Sequence, residues 1–540
     1  MWRGTGLAGA GAPIGWGDTM VDRRNFLLAG GTALGAAALG SLAACSPMPE
    51  TLPGEFSLGV ASGLHSATEV VLWTRVELAN APGTSSVGWE VADSPSFANV
   101  VASGAAPVSP LNDGCVKVLV GTLASDRSYW YRFTGSTTTS STGRARTMPA
   151  PGSSPSSLKL AFCSCQSYAS GYYGAWRDIA DQDLDAVLFL GDYIYESVAI
   201  QLLRKVRDEP TNDVDTLDEY RATYRLYRGD PDLQAAHAAH PLVPIWDDHE
   251  IVNDYDRTIF TTDSERADAA YRAWFEYMPV MPIDGTRIYR DLRWGDLADL
   301  FLLDGRQYRD EAIGTSLLGL LGLSVMTNDL QAVGRSLLGA TQREWLLDSL
   351  DLAQSEGVRW KLIGNPTMIA PIRLVDLDTP ELRQLDPNLP THAGLYLGTD
   401  SWDGFGWERD QILGHLRDAG VADVSFLTGD QHTFMAAPLS TDFDDPAAAV
   451  VAYEYTGGSI TSPSGITEAA LAGGLRSYTT QPAFDYMEIR RNGYAVVEAT
   501  PSEMAVTYHQ LTPVFRTAEP RPAVRFTATP GVVQPSITEL

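Results

Sequence analysis

The sequence predicts an α/β protein with a smaller β-sandwich at its N-terminal side, and three observations predict it. Short apolar runs at 158–162, 186–190, 241–245, 297–303, 358–363 and 424–428 are separated by helical patterns, and each ends abruptly in polar residues. Such runs read as strands of a largely parallel sheet buried on both faces. Between Phe56 and Met148 the pattern changes to short period-two strands (70–76, 86–91, 129–133) punctuated by Gly, Ser, Asp and Pro, as in a sandwich. A Pro/Gly/Ser stretch at 149–155 reads as the linker between the two.

The strand at 186–190 carries the strongest site signal. It runs into Gly191-Asp192-Tyr193-Ile194-Tyr195-Glu196, so a buried strand ends in closely spaced oxygen donors. Ligands of open α/β sheets sit beyond the carboxyl ends of strands. Carboxylate plus phenolate suits a hard, highly charged cation such as ferric iron. The plain alternative is an Asp capping a helix and tyrosines packing a core.

Other strand ends repeat the pattern. The run at 158–162 leads into Cys163-Ser164-Cys165-Gln166, and a helix at 174–181 joins it to the 186–190 strand as a β-α-β unit. A second helical stretch spans 218–227. The run at 241–245 leads into Trp246-Asp247-Asp248-His249-Glu250-Ile251-Val252-Asn253, which offers carboxylates and an amide for a divalent cation and a His as proton donor. The 297–303 strand ends in Asp304-Gly305-Arg306, making Arg306 a candidate phosphate anchor or a support behind the ligands. Thr341 and Glu344 form a capping-box pattern, and the Leu-rich insertion at 316–338 reads as a core-packing or lid segment. The 424–428 strand ends in Gly429-Asp430-Gln431-His432, a second Gly-Asp strand end. Segments 450–456 and 493–498 read as strands closing a second sheet.

Composition bounds the function. The chain has 540 residues, a formal net charge of −28 and 44% apolar residues, so it is globular and offers no basic surface for nucleic acid or anionic membrane. Four cysteines (Cys45, Cys115, Cys163, Cys165) are too few for a disulfide framework. Residues 1–50 read as an export segment: Arg23-Arg24 precedes an uncharged Ala/Gly/Leu run that ends Leu42-Ala43-Ala44-Cys45. This pattern is that of a twin-arginine signal with a lipobox, so the twin-arginine export machinery is an expected partner and Cys45 an expected lipid anchor. The location expected is the cell surface, or the medium if the chain is cleaved without lipidation.

Taken together, these residues resemble the alkaline phosphatase D (PhoD-like) family of calcineurin-like metallophosphoesterases. The resemblance rests on 56–63 and 72–75, then Ser164-Cys165-Gln166, 191–196, 246–253, 304–309 and 427–432. It implies a four-layer αββα metallophosphoesterase core over 157–515, an N-terminal β-sandwich over 54–150, and a C-terminal tail over 516–540. It also implies one Fe(3+) and two Ca(2+) ions. Cys165, Asp192 and Tyr195 would hold iron, with Asp192 bridging. Asn253 and Asp430, with Asp248 beside them, would serve calcium. The sequence departs from the pattern at Gln481-Pro482-Ala483-Phe484, where a Pro-His pair is expected.

The expected activity is hydrolysis of small phosphate mono- and diesters by a metal-bridging oxide or hydroxide, with His249 or His432 protonating the leaving group and Arg306 assisting. A phospholipase D-type diesterase on the same fold is the alternative among enzymes. A surface lipoprotein with a decayed site that only binds phosphorylated ligands is the alternative outside them. Replacing both Arg23 and Arg24 by Lys should leave folded precursor in the cytoplasm, which cell fractionation detects. Unchanged export of the double variant would point to the general secretory route.

Overall fold

Strands that end in ligands must be brought to one edge, and register does this. The computed structural model describes residues 56–540 apart from 78–84, 136–137, 198–199, 201–202, 210–212, 313–315, 319–322, 326–331, 389–393, 397–398 and 465–483. Arg23, Arg24, Cys45 and the 481–483 departure lie outside the described residues.

Strands Leu158–Cys163, Ala186–Leu190 and Leu242–Ile245 run parallel, with Phe162 opposite Leu188 and Leu190 opposite Ile245. Their carboxyl ends therefore open side by side. On one flank the sheet continues antiparallel through Asn492–Ala499, Met504–Leu511, Arg521–Ala528 and Ser536–Glu539. On the other it continues through Val60–Leu64, Val70–Arg75 and Cys115–Val120. A second sheet is built on parallel strands Ala298–Leu302, Trp360–Asn365, Val424–Thr428 and Val450–Gly457, again with aligned ends. Arg290–Trp294 flanks it at one edge, Phe434–Ser440 and Tyr486–Glu488 at the other.

Side-chain alternation stacks the sheets. Leu188 and Leu190 point inward, where they meet Gly364 of the second sheet, and Leu300, Leu302 and Leu362 join the same core. Phe189 points outward and stacks on Trp176 of helix Gly174–Asp181. Helices Leu217–Arg228, Pro231–Ala239 and Ser264–Tyr277 bury their apolar faces on that same side. Phe301, Leu303 and Ile363 of the second sheet point the other way, onto helices Gly339–Ser355 and Gly406–Ala419. The result is the four-layer αββα core.

Local chemistry sets the helix ends. Thr216 and Glu219 form a reciprocal capping box before Leu217–Arg228, and Asp230 with Pro231 starts the next helix. Helix Gly339–Ser355 corrects the sequence reading, because it starts two residues before Thr341. Its approach is held from elsewhere: the Ser336 hydroxyl accepts from Gly339 N, and the buried Glu408 carboxylate accepts from Leu337 N and Leu338 N just ahead of the helix. A capping box is a local signal, and here contacts with a distant helix fix where the chain turns helical.

Residues 60–146 form the sandwich. Val60, Val70, Leu72, Val116 and Val118 of one layer pack on Val87, Val91, Tyr131 and Phe133 of the other. The first layer is continuous with the catalytic sheet through Gly63 and Leu242. The joint is reinforced where Trp73 Nε1 donates to Glu276 O (2.8 Å) and the Arg228 guanidinium lies 3.8 Å over the Trp73 ring.

Two further expectations are corrected, and part of the leucine-rich insertion takes a defined form. The strand at 492–499 pairs with Leu158–Cys163 in the first sheet, not in a second one. Part of the 316–338 insertion forms strands Ser316–Leu318 and Leu323–Val325 of a small separate sheet with Gly394–Tyr396 and Arg373–Asp376. The stretch 516–540, read as a tail, adds two strands to the large sheet, because Val524, Phe526 and Ala528 alternate with polar residues and face the core. Phe526 meets Tyr453 and Tyr455 from the second sheet and Tyr508 from the first. Phe526→Ala should therefore cost about 3–5 kcal/mol, read as a lower denaturation midpoint. A change under about 1 kcal/mol would mean this strand adds nothing to the core.

Candidate metal centre

The loops after the parallel strands are held in conformations that side chains ordinarily avoid. Cys165, Asp192, Asp430 and His432 have φ of 58°, 60°, 59° and 53°, each costing about 1–3 kcal/mol. Gly191, at φ 102°, passes so close to the next loop that a Cβ there would lie 2.4 Å from Asp247 Cβ. Glu250, fully buried, ties two loops together by accepting from Asp192 N (3.0 Å), Tyr193 N (2.7 Å) and Asp247 N (3.0 Å). The strain is compensated by these bonds and aims the side chains at one point.

Two groups of potential ligand atoms meet there. Cys165, Asp192 and His432 form one, Asp192, Asp248 and His249 the other, and within each group the atoms lie within 4.8 Å of one another. Asp192 belongs to both, the position a bridging carboxylate needs. The Tyr195 hydroxyl donates to Asp192 Oδ2 (3.1 Å), and its oxygen lies 3.2 Å from His432 Nε2. Tyr193 points away, its hydroxyl 2.9 Å from His237 Nε2. His249 Nδ1 pairs with buried Glu196 at 2.7 Å.

The remaining candidates separate. Asp430 is half-buried and accepts from Gln431 Nε2 at 2.8 Å. Asn253 is exposed at the residue level and enters through its backbone, its amide donating to Glu196 Oε1 (3.0 Å). Arg306 takes the supporting one of its two expected roles. It is fully buried and doubly bonded to Asp247 through Nε and Nη2 (the latter 2.9 Å), with Asp248 and Asp400 each 3.6 Å away. It anchors the acidic loop from behind, while its buried Nη1 makes no hydrogen bond among the described residues. The sequence pattern showed an Arg at a strand end but not which carboxylate would claim it.

Electrostatics show what the site is made for. Burial pushes the Cys165 thiol well up, and neighbouring Asp192 adds to the shift. Burial also pushes Asp192 up, and it pushes Asp430 up with help from Asp247 and Asp400. The Tyr195 phenol is raised by burial, then by Asp192 and Cys165. Burial opposes charge on His249 too, yet Glu196, Asp248 and Asp192 together hold it charged. His432 is lowered to about 4 by burial, which Pro463 O and Asp248 only partly offset. A thiol, a phenol and several carboxylates held in protein without matching cations form a donor set that a multivalent cation would ionise and satisfy. The residues present thus fit bound metal ions.

Glu196, Glu250, Asp254, Asp400 and Ser462 escaped assignment from sequence. Ser462 follows strand Val450–Gly457, and the signal that marked the other strand ends, an apolar strand breaking at Gly into oxygen donors, is present there as well.

Known proteins match this chain in sequence and fold. Residues 160–508 match the model of the PhoD-like phosphatase family, and residues 43–149 that of the PhoD-like phosphatase N-terminal domain. Alkaline phosphatase D of Bacillus subtilis (strain 168) is 33% identical over 467 residues, covering 82% of this chain and 76% of that protein. A solved structure of PhoD matches with a TM-score of 0.78 at 29% identity, covering 92% of this chain and 94% of that one. Purple acid phosphatase PPD1 from yellow lupin (Lupinus luteus) seeds shares the fold, with a TM-score of 0.50 at 11% identity over 89% of this chain and 74% of that one. With both its catalytic and its N-terminal regions matched, the chain belongs to the PhoD-like phosphatase family.

Proposed function

We propose that this enzyme is an exported, metal-dependent hydrolase of phosphate mono- and diesters, with iron held by Cys165, Asp192 and Tyr195 and calcium served by Asp248 and Asp430. The observation that carries the reading is the pair of ligand groups sharing Asp192. Bound cations would neutralise the phosphoryl oxygens and make water nucleophilic at neutral pH. The chain's own residues do the rest. Glu250 and Arg306 fix the loops, so the carboxylates need not reorganise as charge develops.

The two histidines take different roles. His432 hydrogen-bonds Pro463 O through Nδ1 (2.9 Å), which leaves Nε2 with its lone pair toward Tyr195. Its lowered pKa makes it a ligand or acceptor, not an acid. His249 donates from Nδ1 to Glu196 and stays charged, so Nε2–H is the proton available to a leaving alkoxide. His249→Gln should lower kcat about 10²–10⁴-fold on alkyl esters, and far less on a nitrophenyl ester whose leaving group needs no proton. Equal loss on both, with loss of metal, would make His249 a ligand instead.

Iron and calcium are separable. A calcium chelator should abolish turnover of a chromogenic phosphodiester while iron stays bound, because oxygen-only sites exchange faster than a thiolate-phenolate site. The purified protein should be coloured by phenolate-to-iron charge transfer. Tyr195→Phe should lose the colour and Tyr193→Phe should keep it. Colour that persists in Tyr195→Phe, or a colourless parent with full iron occupancy, would remove Tyr195 from the site.

A further inference from the structure

Segment 458–463, which follows strand Val450–Gly457, has no part in the reaction described so far, yet it lies directly against Tyr195. Ser459, Ile460, Thr461 and Ser462 are fully buried. The segment is zipped to the Cys165 loop: Ile460 N donates to Ser164 O (3.0 Å), and Thr461 N and Ser462 N both donate to Cys165 O (3.3 and 3.1 Å). It is locked from behind by Asn492, whose Nδ2 donates to Ser462 O (2.7 Å) and Ser459 Oγ (2.6 Å), and whose Oδ1 accepts from Arg204 Nη2 (3.1 Å). Arg204 also donates to Thr461 O. Hence the Ser462 hydroxyl has little freedom.

Its oxygen lies 2.7 Å from the Tyr195 oxygen and 2.9 Å from Cys165 O, and it accepts from Ser167 N at 3.2 Å. One proton must choose between two acceptors. Cys165 O already receives two backbone amides, which use both its lone pairs. The Tyr195 oxygen, once it has given up its proton, is a charged acceptor and the stronger one. The next residue acts similarly, since Pro463 O takes the Nδ1 proton of His432.

We propose that Ser462 is a positioning residue of the metal centre: its hydroxyl donates to the Tyr195 oxygen, fixes the ring at its ligating angle and limits the charge the phenolate gives to the metal. This rests on Tyr195 being an iron ligand. Groups that orient metal ligands in this way change metal affinity by about 10–100-fold when removed.

The test compares iron-loaded parent, Ser462→Ala, Ser462→Thr and Ser459→Ala by absorbance and by iron retained against a competing chelator. Ser462→Ala should move the phenolate band to longer wavelength, because the donor orbital loses its hydrogen bond, and should lower iron retention about 10-fold or more. Ser462→Thr keeps the hydroxyl and should keep the parent band. Ser459→Ala removes a neighbouring buried hydroxyl that does not touch Tyr195, and should also keep it. An unmoved band in Ser462→Ala, or an equal shift in Ser459→Ala, would overturn the proposal while leaving Tyr195 a ligand. A colourless iron-loaded parent would overturn the Tyr195 assignment and this proposal with it. The parent alone supplies a check independent of variant folding: in resonance Raman spectra the phenolate C–O stretch should shift on transfer to deuterated water. A stretch that does not move means no exchangeable donor reaches the oxygen, and the proposal fails.

Discussion

Negative charge gathered where water is scarce is the constraint on which the rest of this structure depends. Asp192, Asp247 and Asp248 are all buried, with half-buried Asp430 beside them and a thiol and a phenol among them, and the guanidinium of Arg306 is a fully buried counter-charge beside Asp247. Such an arrangement is costly unless something balances it. Two devices hold it in the protein itself. Arg306 and His249 keep Asp248 well below the usual carboxylate range even though burial works the other way. Burial instead pushes Asp247 up to about 6, although Arg306 opposes the shift. The rest of the imbalance is what a multivalent cation would relieve.

That arrangement needs a rigid support, and the two stacked sheets provide it. Parallel strands deliver their carboxyl ends to one edge by register alone. The left-handed backbone at Cys165, Asp192 and Asp430 then turns each side chain into the crevice between the sheets. Such residues persist only when the surroundings over-determine them. Glu250 does this for Asp192, while Gly429, packed against Leu190 O and Ser164, lets the second sheet come close enough for Asp430 to face the first. Small residues at these contacts thereby bring donors from the two sheets together.

The N-terminal sandwich contributes to the same rigidity from a distance. One of its layers is an extension of the catalytic sheet, and Trp73 is wedged between the Glu276 carbonyl and the Arg228 guanidinium. The helix that bears Arg228 also carries Tyr224, which stacks on Tyr193 directly after Asp192. The site thus rests on a continuous aromatic and hydrogen-bonded base.

The sequence by itself determined the strands and where they end. Apolar runs broken by Gly-Asp, Cys-Ser-Cys-Gln and Asp-Asp-His-Glu are local signals, and periodicity separates buried strands from a half-buried sandwich without reference to anything distant. Cys165, Asp192, Tyr195, Asp248, His249 and His432 were legible for that reason. Tertiary structure alone decided which groups face one another, because pairing between sheets has no sequence period. It made Arg306 the buried partner of Asp247, tied the Asn253 amide to Glu196, and started helix Gly339–Ser355 ahead of Thr341, where Glu408 holds the approach. It also drew 516–540 into the sheet, where Phe526 fills a gap between layers, and set Ser462 against Tyr195 across an interval of 267 residues. Hydrogen bonds over such distances follow from packing, and packing is decided only when the whole chain has folded.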